Sequence, residues 1–128
     1  MRDLNGGAGC FVVLFCLAIP AAALHAGEAD VLKVVVSCDK QTRCSFDVTV
    51  KHDDDGWDHY ANRWEVVSPG GVVLATRKLL HPHDGEQPFT RSLRNVKIPA
   101  ELDEVVIRAH DLVHGYGGKE ILVTLPRK

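Results

Sequence analysis

The run Cys44-Ser45-Phe46-Asp47-Val48-Thr49-Val50-Lys51 constrains the fold more than any other stretch of the chain. Apolar and polar residues alternate along it, which is the period of a half-buried strand and not of a helix face. A second β-rich run, Val31 to Cys38, comes just before it. If Cys38 and Cys44 face each other across a hairpin, Val36 opposes Phe46, Val34 opposes Val48 and Leu32 opposes Val50. Every one of these pairs is apolar. A Cys38–Cys44 disulfide and the hydrophobic pattern therefore demand the same register.

Residues 1–26 read as a signal peptide and stand outside the fold. Arg2 is followed by an uncharged apolar run from Ala8 to Leu24, and Ala23-Leu24-His25-Ala26 then meets the polar Gly27-Glu28-Ala29-Asp30. Cleavage is expected after Ala26, with Ala21-x-Ala23 offering an earlier site. An uncleaved anchor is the rival, but the run is short for a membrane span and carries Pro20 near its end. Neither Cys10 nor Cys16 suits lipid attachment, because Cys10 precedes the apolar core of that run and bulky Phe15 precedes Cys16. The processed protein, residues 27–128, is thus expected to be periplasmic or secreted and to have no membrane contact. Removing Arg2 and Asp3 takes one charge of each sign, so the formal net charge stays at −2. That balance points to neither nucleic acid nor an anionic membrane surface as a partner. An oxidising compartment makes the remaining cysteine pair a disulfide.

The rest of the chain also lacks a sustained helical period. Tyr60 to Val67 and Val72 to Leu79 flank the turn Ser68-Pro69-Gly70-Gly71, with Trp64 as a core anchor. Phe89 to Leu93 is expected as a short fifth strand, and Arg94 to Asp103 as a connection in which Val96, Ile98 and Leu102 tuck inward. Glu104 to Asp111 and Glu120 to Leu125 complete seven strands. Seven short strands in about 100 residues predict one all-β domain: an antiparallel, immunoglobulin-like β-sandwich, with an open barrel as its rival.

If direction reverses at each strand, alternate loops share an end of the sandwich. One end receives His52 to His59, Leu80 to Gln87 and Asp111 to Lys119. Every histidine after the leader lies in or beside these segments: His52, His59, His81, His83, His110 and His114. Loops carried on a rigid sandwich commonly hold function. Imidazoles ligate zinc, copper, nickel and iron, and carboxylates complete or orient such sites. His81, His83, His110 and His114 are the expected metal ligands, with His59 next and Asp58 and Asp111 behind them. Zinc or copper is the expected ion. The lack of methionine after the leader argues against a thioether-rich copper(I) site. The same residues could instead hydrogen-bond one another and pin three loops together. Trp57, Tyr60 and Tyr116 form an alternative stacking platform for a glycan or peptide. Asp53-Asp54-Asp55-Gly56 has the composition of a calcium loop without its full ligand pattern. No serine or cysteine nucleophile occupies a recognisable motif, so no catalytic residue is assigned.

The stretches Gly56-Trp57-Asp58-His59-Tyr60-Ala61, Leu80-His81-Pro82-His83, Glu86-Gln87-Pro88-Phe89-Thr90-Arg91-Ser92-Leu93 and Val113-His114-Gly115-Tyr116-Gly117-Gly118 resemble those of a family of small exported bacterial proteins of unknown function. The resemblance implies a small extracytoplasmic domain and no particular reaction. The His-Pro and His-Gly elements are also faintly similar to the iron ligands of superoxide reductases. That family needs a cysteine near its His-Gly pair, and Ala109 to Gly115 contains none. The function expected from all this is an exported, non-catalytic domain whose histidine-rich end binds a divalent transition metal, with a protein or small ligand as partner there.

Overall fold

The computed structural model describes residues 27–127; the expected leader lies outside the described residues. Seven strands follow in order: β1 (Asp30–Cys38), β2 (Arg43–Lys51), β3 (Ala61–Val67), β4 (Val73–Lys78), β5 (Phe89–Lys97), β6 (Glu104–Asp111) and β7 (Ile121–Thr124). Among the described residues there is no helix, and so none long and apolar enough to cross a membrane. The strands form two antiparallel sheets, ordered β1-β2-β5 and β4-β3-β6-β7. Two separate sheets exclude the open barrel. In the constant-type immunoglobulin arrangement the fourth strand joins the first, second and fifth, whereas here β4 pairs with β3.

The alternation in β2 does what the sequence demands. Cys44, Phe46, Val48 and Val50 are fully buried and pack against Trp64, Val66, Val105, Ile107 and Ala109 from the facing sheet. The first hairpin has the expected register at Val34–Val48, Val36–Phe46 and Cys38–Cys44, and the disulfide closes it. The expected Leu32–Val50 pair does not form. A bulge between Val31 and Lys33 sets Val31 opposite Val50, which buries Val31 and turns Leu32 toward solvent. The fifth strand is also longer than expected. Arg94 to Lys97 continues β5 instead of starting a connection, because Val96 pairs with Cys44 and fills the core beside it. Ile98 and Leu102 tuck inward as anticipated.

The two poles of the sandwich are chemically distinct. At one, the Arg127 guanidinium donates to the carbonyls of Ile98, Pro99 and Leu102 and ties the segment after β7 to the β5–β6 connection. At the other, Asp54 from the β2–β3 loop bonds the backbone of His83 in the β4–β5 loop, and His59 reaches Asp111 and His114 of the β6–β7 loop. The segment before β1 runs through this second pole. Gly118 lies so close to Ala29 that a Cβ would strike the Ala29 carbonyl, and Lys119 bonds both Asp30 and Val31.

Candidate metal centre

Asp111 ends β6 and is fully buried. Its Oδ1 accepts the backbone N–H of Val113 at 2.9 Å and of His114 at 2.7 Å, so the carboxylate organises the turn that follows it. That turn brings His114 Nδ1 to 3.2 Å from Oδ1. From the β2–β3 loop, His59 Nε2 reaches 3.5 Å from the same oxygen and 3.3 Å from His114 Nδ1. Three donor atoms, two from the end of β6 and the turn after it and one from the β2–β3 loop, thus form a near-equilateral triangle. Tetrahedral zinc with bonds near 2.0–2.1 Å separates its ligand atoms by about 3.3 Å, so the triangle has the edge length of one face of such a site. The His59 and His114 rings are a quarter and a third exposed, which leaves one side open to solvent.

The other oxygen, Asp111 Oδ2, is buried with no hydrogen-bond partner. A bare carboxylate oxygen inside a protein costs free energy, and a cation is one way to satisfy it. Burial alone would raise the Asp111 pKa. The N–H groups of His114 and Val113, with the His52 and His114 rings, outweigh burial and hold the carboxyl below its ordinary range. The group is a ready-made anion.

His52 completes the cluster: all four residues offer a donor atom within 4.8 Å of the others. Its chemistry differs, however. Nδ1 lies 2.6 Å from Asp54 Oδ1 and Nε2 lies 2.9 Å from the Gly27 carbonyl oxygen. Both ring nitrogens are thus engaged, Nε2 donating to the Gly27 carbonyl and Nδ1 bonded to Asp54. His52 therefore stands behind Asp111 as a buried ring held between Asp54 and Gly27. Asp54 supports it and also accepts the N–H of Ala61 at 3.1 Å and of His83 at 2.6 Å. Gln87 ties the same loops, accepting from His52 N and donating to His83 O.

Of the five histidines expected to ligate, the structure brings His59 and His114 together. Asp111, expected behind the ligands, supplies an oxygen to the triangle itself. His81, His83 and His110 stand outside the group. His83 stacks on Phe89 at 3.9 Å, and its Nε2 accepts from Arg91 at 2.9 Å. Burial, then Arg91 and His81, hold its pKa below the usual imidazole value. His110 bonds Asn62 at 2.7 Å, and burial followed by Arg63 lowers its pKa too. His81 is exposed and bonds the Pro82 carbonyl. Asp58 is exposed and takes no part in the group.

The aromatic residues also divide. Trp57 is 64 % exposed and meets Tyr60 edge-on with ring centres 5.7 Å apart. Tyr116 does not join them. Its hydroxyl is locked between Glu65 and Arg63, and the Arg108 guanidinium covers its ring at 4.0 Å. Sequence reasoning left His52, Asp54 and Gln87 without a role. Asp54 is one of three consecutive aspartates, and only the fold distinguishes the one that turns inward.

No family model matches the chain, and no solved structure matches it. A protein of Halomicrobium mukohataei named "Putative lipoprotein" is 43 % identical over 96 residues, which is 75 % of this chain and 47 % of that protein. The chain thus spans about half the length of the relative it matches.

Proposed function

We propose that this is an exported, non-catalytic domain that binds a divalent transition metal through His59, His114 and Asp111. The observation that carries the reading is the donor triangle, with edges of 3.2, 3.3 and 3.5 Å beside an unpartnered buried carboxylate oxygen. Two imidazoles and a carboxylate suit zinc or copper(II) and give no preference to softer copper(I). An open side leaves a coordination position for water or for a group from a partner. Export, to a membrane anchor or to the outside, is supported by the apolar run before Gly27 and by the relative's name. Elemental analysis of untagged protein, followed by zinc and copper(II) titration, tests the reading. One equivalent bound at micromolar affinity or better, and lost in His59→Ala and His114→Ala, is expected. No metal and no such affinity would reject it.

A second reading places a glycan or peptide partner on Trp57 and Tyr60. It is favoured by one observation, the exposed indole held edge-on to a tyrosine. Quenching of tryptophan fluorescence that survives chelator and disappears in Trp57→Ala would support it.

A further inference from the structure

We propose that the cavity between β4 and β5 binds a small oxyanion of the phosphate type, held between the guanidinium groups of Arg77 and Arg91. The site shares no residue with the metal triangle and does not rest on it.

β4 and β5 are edge strands of opposite sheets, and the β4–β5 loop crosses from one sheet to the other. Register fixes which way their side chains face. Arg77 pairs with Trp64 and Arg91 pairs with Val48, and both of those partners are fully buried core residues. Antiparallel partners share a face of their sheet, so the two arginines occupy inward positions, one on each sheet. Two residues along the same inward rows stand Leu79 and Phe89, which are buried and apolar as the alternation demands. Two cations thus stand where a sandwich ordinarily places aliphatic side chains.

Both arginines line one cavity of about 80 Å³, whose wall includes Leu79, His81 and His83 and no carboxylate. One water needs about 10–15 Å³, so the space admits the several oxygens of a tetrahedral anion. Arg77 spends Nη1 on the Lys78 carbonyl at 2.9 Å, while its Nε is buried without a hydrogen-bond partner. Nε is half of the edge with which a guanidinium grips two oxygens side by side. Arg91 is held in place, with Nη1 donating to the Thr90 carbonyl at 2.8 Å and Nη2 to His83 Nε2 at 2.9 Å. A guanidinium only donates, so His83 Nε2 keeps its lone pair and the ring adds no charge. Two acids stand nearby. Glu86 lies 3.4 Å from Arg91 Nη2 but is 61 % exposed, and Asp54 lies 3.8 Å from His83 Nδ1, bonded to His52. An anion in the cavity supplies the acceptor that Arg77 Nε lacks and offsets two like charges turned inward. A dianion answers both guanidinium groups, whereas a carboxylate carries charge for one.

Calorimetric titration of chelator-treated protein with inorganic phosphate tests the site, at about 0.15 M salt to screen exposed charges. One equivalent bound with a dissociation constant of about 1 mM or lower is expected, with a urea midpoint that rises with phosphate. Acetate is expected to bind at least about tenfold more weakly. Arg77→Lys keeps the charge and loses the fork, and is expected to weaken phosphate binding at least about tenfold. Arg77→Met and Arg91→Met are expected to fold, since apolar side chains suit these rows, and to lose the binding. Lys33→Gln, exposed on β1 at the far edge of the sheet from β5, is expected to bind as the parent does. Phenyl phosphate bound as tightly as phosphate would assign the site to the phosphoryl end of a larger molecule. Exclusion of the ester would assign it to the free ion. No binding at about 10 mM phosphate, equal affinity for acetate, or an Arg77→Lys variant that binds like the parent would overturn the proposal. Should the methionine variants fail to fold, Arg77→Lys and the acetate comparison decide.

Discussion

Asp111 Oδ2 and His52 Nε2 face each other across 3.7 Å, both fully buried, and share no hydrogen bond. The ring Nε2–H donates its hydrogen bond to the Gly27 carbonyl instead. The pair is thus coulombic only. It leaves the Asp111 oxygen without a hydrogen bond and a ring whose two nitrogens are engaged elsewhere. Behind the ring, Asp54 bonds Nδ1 and anchors two loops.

Removing Asp54 should be the most damaging single change at this pole. Asp54→Ala strips the acceptor from His52 Nδ1, Ala61 N and His83 N at once. Leaving a buried donor without its acceptor costs about 1–3 kcal/mol, and urea unfolding should show a loss of at least that size. A loss below about 1 kcal/mol would mean that Asp54 does not hold this pole together.

Metal held at the proposed triangle should stabilise the folded state through His59, His114 and Asp111. At about 100 times its dissociation constant, zinc adds about 2.7 kcal/mol to unfolding free energy, and chelator removes the gain. The His59→Ala/His114→Ala double variant should unfold at the same urea concentration with and without zinc. Asp111→Asn should also weaken binding, yet keep the turn, because an amide oxygen still accepts from Val113 and His114.

Stability should fall on mild acidification because of two histidines outside the triangle. The pKa values of His83 and His110 are lowered in the fold, chiefly by burial and then by Arg91 and Arg63 respectively. The unfolded chain therefore takes up protons first. Their contribution is complete above the usual imidazole value near 6.5 and declines as pH drops below it toward the folded values. Urea midpoints between pH 7.5 and 5.5, measured with chelator present, should fall, and less steeply in His83→Gln. A midpoint independent of pH would contradict this.

A second acid-sensitive element lies on the outer face of the four-stranded sheet. Glu65 is buried, which alone would raise its pKa, but Arg108, Arg63 and the Tyr116 hydroxyl reverse the shift. A depressed carboxylate contributes stability above its unfolded value near 4.5, and this is lost as pH falls toward the folded value. Glu65→Gln should cost about 1–3 kcal/mol at pH 7 and progressively less as pH falls below about 4.5, because the charge-assisted bond it removes is itself lost toward the folded value.

Much of the scaffold was legible in the sequence because its signals are local. Strict alternation in β2 and the cysteine pair set the register of the first hairpin from Cys38–Cys44 to Val34–Val48. The bulge at Leu32 was not legible, since either Val31 or Leu32 could fill the core and only long-range packing chooses between them. The extension of β5 was hidden in the same way, its reward being the pairing of Val96 with Cys44. At the site, strand direction gathered the loops, but direction says nothing about which nitrogen of which ring remains free. His81-Pro82-His83 looked promising by spacing; stacking on Phe89 and capping by Arg91 occupy His83 in ways no spacing reveals.

Arg127 fastens the tail to carbonyls at the pole remote from the histidines. The molecule thus has a natural handle and a natural working tip. A polyhistidine tag fused to Gly27 would hang its own imidazoles over the cluster and counterfeit the very property being sought. Only protein without such a tag tests the pole with no borrowed ligands.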